Sequence, residues 1–128
     1  MKKIELFSFA KVGLYYPKKP EADICQEIIE VSLLTEIPID GPDSSDLDKT
    51  IDDLLEKENE DFFSSQRYAL RVQINLFLKT NFFNTFKIFF TCQYGLMRSP
   101  SVARLFKHWI NLNYSGIPVS LTHLDIES

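Results

Sequence analysis

The most constraining feature of the sequence is the segment 86–110, in which a run of β-forming residues leads through a short loop into a helical pattern. Residues 86–91 read FKIFFT, and this apolar run predicts a buried strand because an exposed one would aggregate. Beyond the loop, Ser99 and Pro100 suit the cap and first turn of a helix whose apolar residues recur at helical spacing. A strand that feeds a helix in this way is a building unit of α/β sheets.

The loop between this strand and this helix, with the helix start, carries four residues that suit an anion-binding or catalytic site, namely Cys92, Gly95, Arg98 and Ser99. A loop that opens a helix gathers backbone N–H groups around one point, where the helix dipole also favours negative charge. The same field would stabilise a thiolate at the floor of the loop, and an arginine fork grips two oxygens of an oxyanion at once. The loop therefore predicts an anion site with a sulfur nucleophile, suited to attack on a phosphate ester.

The rest of the chain also alternates between apolar runs and helical patterns. In chain order we expect a strand at 3–12, a helix at 21–30 with Cys25 in the core, a strand at 31–39, a helix from about 46, a largely covered helix at 62–79, and an edge strand or tail at 119–126. This alternation predicts an α/β fold with a central, mostly parallel sheet and helices on both faces. We expect one compact domain over residues 1–128.

Charge is unevenly distributed along the chain. Residues 36–61 hold eleven acids and two lysines, whereas residues 62–124 hold seven lysines and arginines and no acid. One explanation is that the basic segment draws a dianion toward Cys92. The other is that an acidic half and a basic half pair in the fold. The sequence leaves both open.

Composition excludes several classes of protein. The two cysteines, Cys25 and Cys92, lie far apart and form no metal-ligand spacing, so neither a zinc site nor a disulfide framework is expected. Glu5 and Lys11 interrupt the apolar N-terminal segment, and no run approaches the length that spans a membrane. We expect a cytoplasmic protein without metal or cofactor and without a nucleic-acid or membrane partner; the oligomeric state is not predicted.

The pattern Cys92-x-x-Gly95-x-x-Arg98-Ser99 resembles the phosphate-binding loop of the cysteine-dependent protein tyrosine phosphatases. It looks most like the dual-specificity type, because the loop lies late in the chain. Residues 37–43 also resemble the strand and loop that carry the general acid of that family. The resemblance implies a phosphatase-like fold, trimmed at its C-terminal end because little chain follows the helix after the loop.

The resemblance also implies roles for individual residues. Cys92 would be the nucleophile, Ser99 would hydrogen-bond its thiolate, and Asp40 would be the general acid, with Asp43 second in line and Asp61 and Asp125 still open. Arg98 would bind two phosphate oxygens. Backbone N–H groups would complete the phosphate site, from Gln93, Tyr94, Gly95, Leu96, Met97 and Arg98. The implied substrate is a phosphorylated protein carrying phosphotyrosine, with phosphoserine and phosphothreonine as further substrates.

Two other classes remain open at this point. A thiol enzyme similar to a rhodanese or an arsenate reductase also uses a loop cysteine near an arginine, with Cys25 as the partner that would have to approach in space. A non-catalytic phosphate-binding module would keep the loop and Arg98 but lack a working acid.

Overall fold

A computed structural model describes residues 1–13, 15–32, 34, 45–93 and 98–125, and for residues 45–51 the backbone alone. The elements in chain order are β1 Lys3–Ala10, β2 Ile24–Glu30, α1 Ser45–Glu58, α2 Glu60–Lys79, β3 Thr85–Cys92, α3 Arg98–Asn113 and β4 Val119–His123. In this part of the chain the strands form one parallel four-stranded sheet in the order β2-β3-β1-β4. The expected α/β class is confirmed. Of the helices that the structure describes, none is both long and apolar enough to cross a membrane.

Strand β3 is interior in the sheet, as its sequence predicts. Its residues Phe86, Ile88 and Phe90 point to one face and are almost completely buried. Their register partners on β1 include Ile4 and Leu6, which are fully buried on the same face. Burial of such a run on both sides is typical of parallel strands.

The helices pack on this one face of the sheet. The ring of Phe77 in α2 lies 5.6 Å from that of Phe86, and the ring of Phe106 in α3 stacks 5.5 Å from that of Phe90. Phe63 of α2 in turn stacks on Phe106 at 5.7 Å, so the two helices cover one continuous surface. Among the described residues, the expectation of helices on both faces is wrong.

The direction of the crossovers explains this arrangement. The connections β2 to β3 and β3 to β4 run the same way across the sheet, and a right-handed crossover places both on the same face. Only the connection from β1 to β2 runs the opposite way, and its described residues, 11–13 and 15–23, include Pro17 and Pro20 and form no helix. Its Tyr16 ring lies 5.9 Å from the ring of Phe9, which points to the other face. A loop therefore covers part of the face where helices were expected.

The segment 21–30 is a strand from Ile24 onward, so the predicted helix there is wrong. Cys25 and Ile29 pair with β3 residues of the helix-covered face, whereas Ile24 and Ile28 point the other way. The four apolar residues that suggested one face of a helix are thus divided between the two faces of the sheet. Cys25 does pack against the core, as expected.

The strand predicted at 31–39 is not found in the residues that the structure describes there. Val31, Ser32 and Leu34 form a turn directly after β2, in which the Leu34 N–H donates to the Val31 carbonyl at 3.2 Å. The remaining residues of that prediction lie outside the described part of the chain. The strand of this region is instead β2, Ile24–Glu30, which pairs with β3 in parallel.

Helices α1 and α2 are confirmed, but α2 is covered on only one flank. Its buried residues are Phe63, Leu70, Ile74 and Phe77. Along the other flank, Tyr68, Val72 and Leu76 are 74%, 47% and 58% exposed. The expectation of a largely covered helix is wrong for these described residues, because α2 packs on the sheet with one flank while Tyr68, Val72 and Leu76 of the other are exposed.

Lys2 fastens the C-terminal end of α2 to the start of β1. Its Nζ donates to three carbonyl oxygens, those of Phe77 at 2.7 Å, Thr80 at 2.6 Å and Phe83 at 2.6 Å. The ammonium also lies 4.5 Å from the centroid of the Phe77 ring. A cation at this end of a helix satisfies carbonyls that have no partner within the helix.

We expect Lys2→Met to lower the free energy of unfolding by about 2 kcal/mol, because the apolar stem is kept while the charge-assisted hydrogen bonds are lost. Urea denaturation at neutral pH measures this. Lys3→Met is the matched control, since Lys3 is exposed at the neighbouring position. Equal stability of the two variants would contradict the proposed role of Lys2.

Candidate active site

The candidate site lies where β3 ends at Cys92 and α3 begins at Arg98. Strand and helix thus flank the loop as the sequence predicts, and Gln93 is exposed directly after the strand. Several predicted site residues lie outside the described part of the chain, namely Tyr94, Gly95, Leu96 and Met97 of the loop, and Asp40 and Asp43 among the acids.

Cys92 and Ser99 are brought together as the resemblance implies. The Cys92 Sγ lies 3.2 Å from the Ser99 Oγ, and the Ser99 backbone N–H donates to the same sulfur at 3.4 Å. Cys92 is 3% exposed and Ser99 is fully buried, so both contacts lie at the floor of the site. A hydroxyl and a backbone N–H in the first turn of a helix are groups that stabilise a thiolate.

Arg98 is anchored along one edge of its guanidinium. Its Nη1 donates to the carbonyl oxygen of Ser32 and, at 3.4 Å, to that of Leu34. These carbonyls belong to the turn after β2, which the sequence analysis did not connect with the site. Because a guanidinium presents its donors as a rigid planar fork, this anchor leaves the Nε–Nη2 edge facing another direction. That edge has the geometry for two oxygens of one oxyanion.

The neighbouring strands hold the end of β3 from both sides. From the β1 side, the Lys11 N–H donates to the Cys92 carbonyl at 2.8 Å and the Val12 N–H to the Gln93 carbonyl at 3.4 Å. From the β2 side, the Val31 N–H donates to the Thr91 carbonyl at 2.8 Å. The backbone entering the loop is therefore fixed by continued sheet pairing, which favours a preorganised site.

The topology of the sheet marks the same position independently of the motif. The chain leaves β1 toward β2 across one face, and leaves β3 toward β4 across the other. The carboxyl ends of β1 and β3 therefore diverge at a switch point, where parallel α/β sheets bind their ligands. Cys92 is the register partner of Ala10 at this point.

Of the candidate acids, two are described. Asp61 is an exposed residue in the first turn of α2. Asp125 lies past β4, and its Oδ2 accepts a hydrogen bond from the Ala10 N–H at 2.5 Å. Asp125 therefore lies at the same edge of the sheet as Cys92, with one carboxylate oxygen held by the backbone of β1.

Sequence reasoning missed Glu30, which is a carboxylate at this edge. It accepts from the Ser32 N–H at 2.8 Å and from the Ser32 hydroxyl, and its Oε2 lies 3.3 Å from Lys11 Nζ. Partial burial opposes its ionisation, but the Ser32 hydrogen bonds and the Lys11 ammonium outweigh that effect, so the pKa of Glu30 lies below its ordinary value. No sequence signal pointed to Glu30, because the segment was interpreted as a helix.

Pairing within the fold accounts for part of the charge asymmetry. Arg104 of α3 makes a bidentate contact with Asp52 of α1, with both N–O distances at 2.8 Å. Arg67 of α2 contacts Glu56 of α1 at 2.9 Å. For these residues, the uneven charge distribution is explained by pairing of the acidic segment with the basic segment and not by attraction of an anion to Cys92.

The second cysteine is far from the first. Cys25 pairs with Phe86 near the start of β3, whereas Cys92 ends that strand. At about 3.3 Å per residue, the two are separated by roughly 20 Å along the strands. Partial burial and the nearby Glu27 carboxylate also raise the pKa of the Cys25 thiol. Cys25 is therefore placed badly for disulfide exchange with Cys92, which argues against the rhodanese-like and arsenate-reductase-like alternative.

Comparisons with models of protein families, with curated proteins and with solved structures found no match to this chain.

Proposed function

We propose that this chain is a cysteine-dependent phosphatase that hydrolyses phosphotyrosine in a protein substrate, and also phosphoserine and phosphothreonine, through a phosphocysteine intermediate on Cys92. The observation that carries the proposal is the contact of the Ser99 hydroxyl and N–H with the Cys92 sulfur at the start of α3. The position of this contact at the switch point of the sheet supports it independently of the motif.

Binding of the phosphoryl group would use charge and backbone donors. The Nε–Nη2 edge of Arg98 would take two oxygens, while the N–H groups of residues 93–98 and the dipole of α3 would stabilise the remaining charge. Because Nη1 is already held by carbonyl oxygens, the fork loses little freedom when the phosphate binds.

The chemistry then has two displacement steps. The Cys92 thiolate attacks phosphorus and forms an S–P bond while the P–O bond to the substrate breaks, and Asp40 protonates the leaving oxygen. Asp40, now ionised, takes a proton from water as the water oxygen attacks phosphorus. The S–P bond breaks, phosphate leaves, and the Ser99 hydroxyl stabilises the thiolate that is released.

The proposal is tested with the purified chain and an aryl phosphate. We expect release of phosphate without added metal, and an acid-quenched reaction should show one phosphoryl group on the peptide that contains Cys92. Absence of both turnover and adduct would overturn the proposal.

A non-catalytic phosphate-binding module is the second candidate. It is favoured because the described carboxylates at the edge of the sheet beside Cys92 already have hydrogen-bond or ion-pair partners. Asp125 accepts from the Ala10 N–H, and Glu30 contacts Ser32 and Lys11. A proton donor must then come from another segment. Titration with inorganic phosphate separates the two candidates, because binding without turnover or adduct supports the module.

Asp40→Asn is expected to lower kcat about a hundredfold for a substrate with a poorly activated leaving group, because that oxygen then departs without a proton. The variant should lose the decline of activity at high pH, since this decline reports ionisation of the acid. A pH–rate profile of both proteins measures this, with Asp43→Asn as the matched control. An unchanged profile in Asp40→Asn would remove Asp40 from this role.

A further inference from the structure

We propose that Glu30 is a positioning residue that orients Arg98 through the backbone of Ser32, an inference that rests on the phosphate site of the proposed function. Glu30 makes no direct contact with Arg98 among the described residues. Its effect would pass through one intervening residue, whose N–H and hydroxyl it binds and whose carbonyl binds the arginine.

The first step is the hold of Glu30 on Ser32. As the last residue of β2, Glu30 directs its carboxylate to the turn that follows, where it accepts from the Ser32 N–H at 2.8 Å and from the Ser32 hydroxyl. Both donors reach the same carboxylate oxygen, and hydrogen bonds to an ionised acceptor are stronger than those between neutral groups. They fix both the backbone and the side chain of Ser32.

The second step is the attachment of the turn to the site. The Val31 N–H donates to the Thr91 carbonyl at 2.8 Å, and the Leu34 N–H closes the turn on the Val31 carbonyl at 3.2 Å. The carbonyls of Ser32 and Leu34 then both accept from Arg98 Nη1. The turn is thus bound to β3 at Val31 and to Arg98 through the carbonyls of Ser32 and Leu34, and Glu30 holds Ser32, which supplies the first of these carbonyls.

Lys11 supports Glu30 from the opposite side of β3. Lys11 follows β1 and Glu30 ends β2, so their contact at 3.3 Å spans the end of the strand that carries Cys92. Both side chains are exposed, at 62% and 39%, so the ion pair itself adds little. The hydrogen bonds to Ser32 are the part of this arrangement that reaches Arg98.

The expected consequence concerns the orientation of the fork. Bidentate binding of an oxyanion requires both N–H groups to align with two oxygens, and a guanidinium that is free to rotate loses that alignment. Without Glu30, the turn would present its carbonyls in more than one arrangement. Binding of the phosphoryl group, both in the substrate complex and in the transition state, would then weaken.

The test compares Glu30→Ala, Glu30→Gln and the control Glu27→Ala in the full chain. Glu27 is a carboxylate on the same strand that contacts Gln73 instead of the turn. We expect Glu30→Ala to weaken binding of inorganic phosphate about tenfold and to lower kcat/KM for an aryl phosphate by at least as much. Glu30→Gln keeps an acceptor oxygen for Ser32 and should recover most of both losses, and Glu27→Ala should match the wild type.

Thermal unfolding of the same proteins identifies a merely structural role. Wild-type phosphate affinity in folded Glu30→Ala, or an equal loss in Glu30→Gln and Glu30→Ala, would overturn the inference. The proposed hydrolysis is judged separately on the wild type. A wild type that binds phosphate without turnover overturns the phosphatase while the affinities still decide the role of Glu30. A wild type that binds no phosphate overturns both.

Discussion

Replacing Cys92 with serine is expected to lower hydrolysis of an aryl phosphate by about a thousandfold or more, while binding of inorganic phosphate is kept. A serine hydroxyl is a far weaker nucleophile than a thiolate, and the S–P bond of the intermediate can no longer form. In the proposed site the phosphate contacts come from Arg98 and backbone N–H groups, which the substitution leaves in place. Steady-state kinetics and phosphate titration of the same preparation measure the two effects.

Cys25→Ser is the control for this experiment, because Cys25 lies near the other end of the sheet. It should retain wild-type kinetics. Hydrolysis that survives in Cys92→Ser would rule out a mechanism through that sulfur. A loss of activity in Cys25→Ser at unchanged stability would revive the mechanism with two cysteines.

Replacing Arg98 with lysine is expected to weaken phosphate binding about a hundredfold. An ammonium can donate to the carbonyls of Ser32 and Leu34 or to the phosphate, but it cannot present the two parallel N–H groups of the fork. Lysine keeps the positive charge, so the loss of phosphate affinity would measure the geometry of the hydrogen bonds and not the electrostatic attraction of the site. Calorimetric titration with phosphate measures it, and kcat should fall as well because the same groups stabilise the transition state.

Arg71→Lys is the matched control for Arg98. The Arg71 guanidinium lies 5.4 Å from the centroid of the Trp109 ring on the helical side of the molecule. The Arg71→Lys substitution should leave phosphate affinity unchanged. Wild-type affinity in Arg98→Lys would show that charge alone holds the anion, and the proposed bidentate contact would be wrong.

The predictable part of this fold is the part with strong local patterns. Strand β3 and helix α3 were predicted because FKIFFT suits only a buried strand, and the apolar face of α3 recurs at helical spacing. The contact of Cys92 with Ser99 was implied by the resemblance of the loop, and the structure shows it between the adjoining ends of β3 and α3.

The parts that sequence could not supply depend on distant partners. The segment 24–30 has spacing that suits a helix, and pairing with β3 decides for a strand. The face on which the helices pack follows from the strand order, which no local pattern encodes. The anchor of Arg98 comes from a turn 64 and 66 residues earlier in the chain, so its carbonyl partners were invisible to motif reasoning.

The placement of the two cysteines at opposite ends of the sheet has a consequence for oxidative damage. A phosphatase thiolate attacked by peroxide becomes a sulfenic acid, which a nearby thiol converts to a recoverable disulfide. A disulfide requires Cα atoms within about 7 Å, far less than the roughly 20 Å between Cys25 and Cys92. Cys25 therefore cannot rescue an oxidised Cys92 of the same chain through a disulfide. Recovery of oxidised Cys92 would depend on a small thiol from solution that can enter the phosphate site.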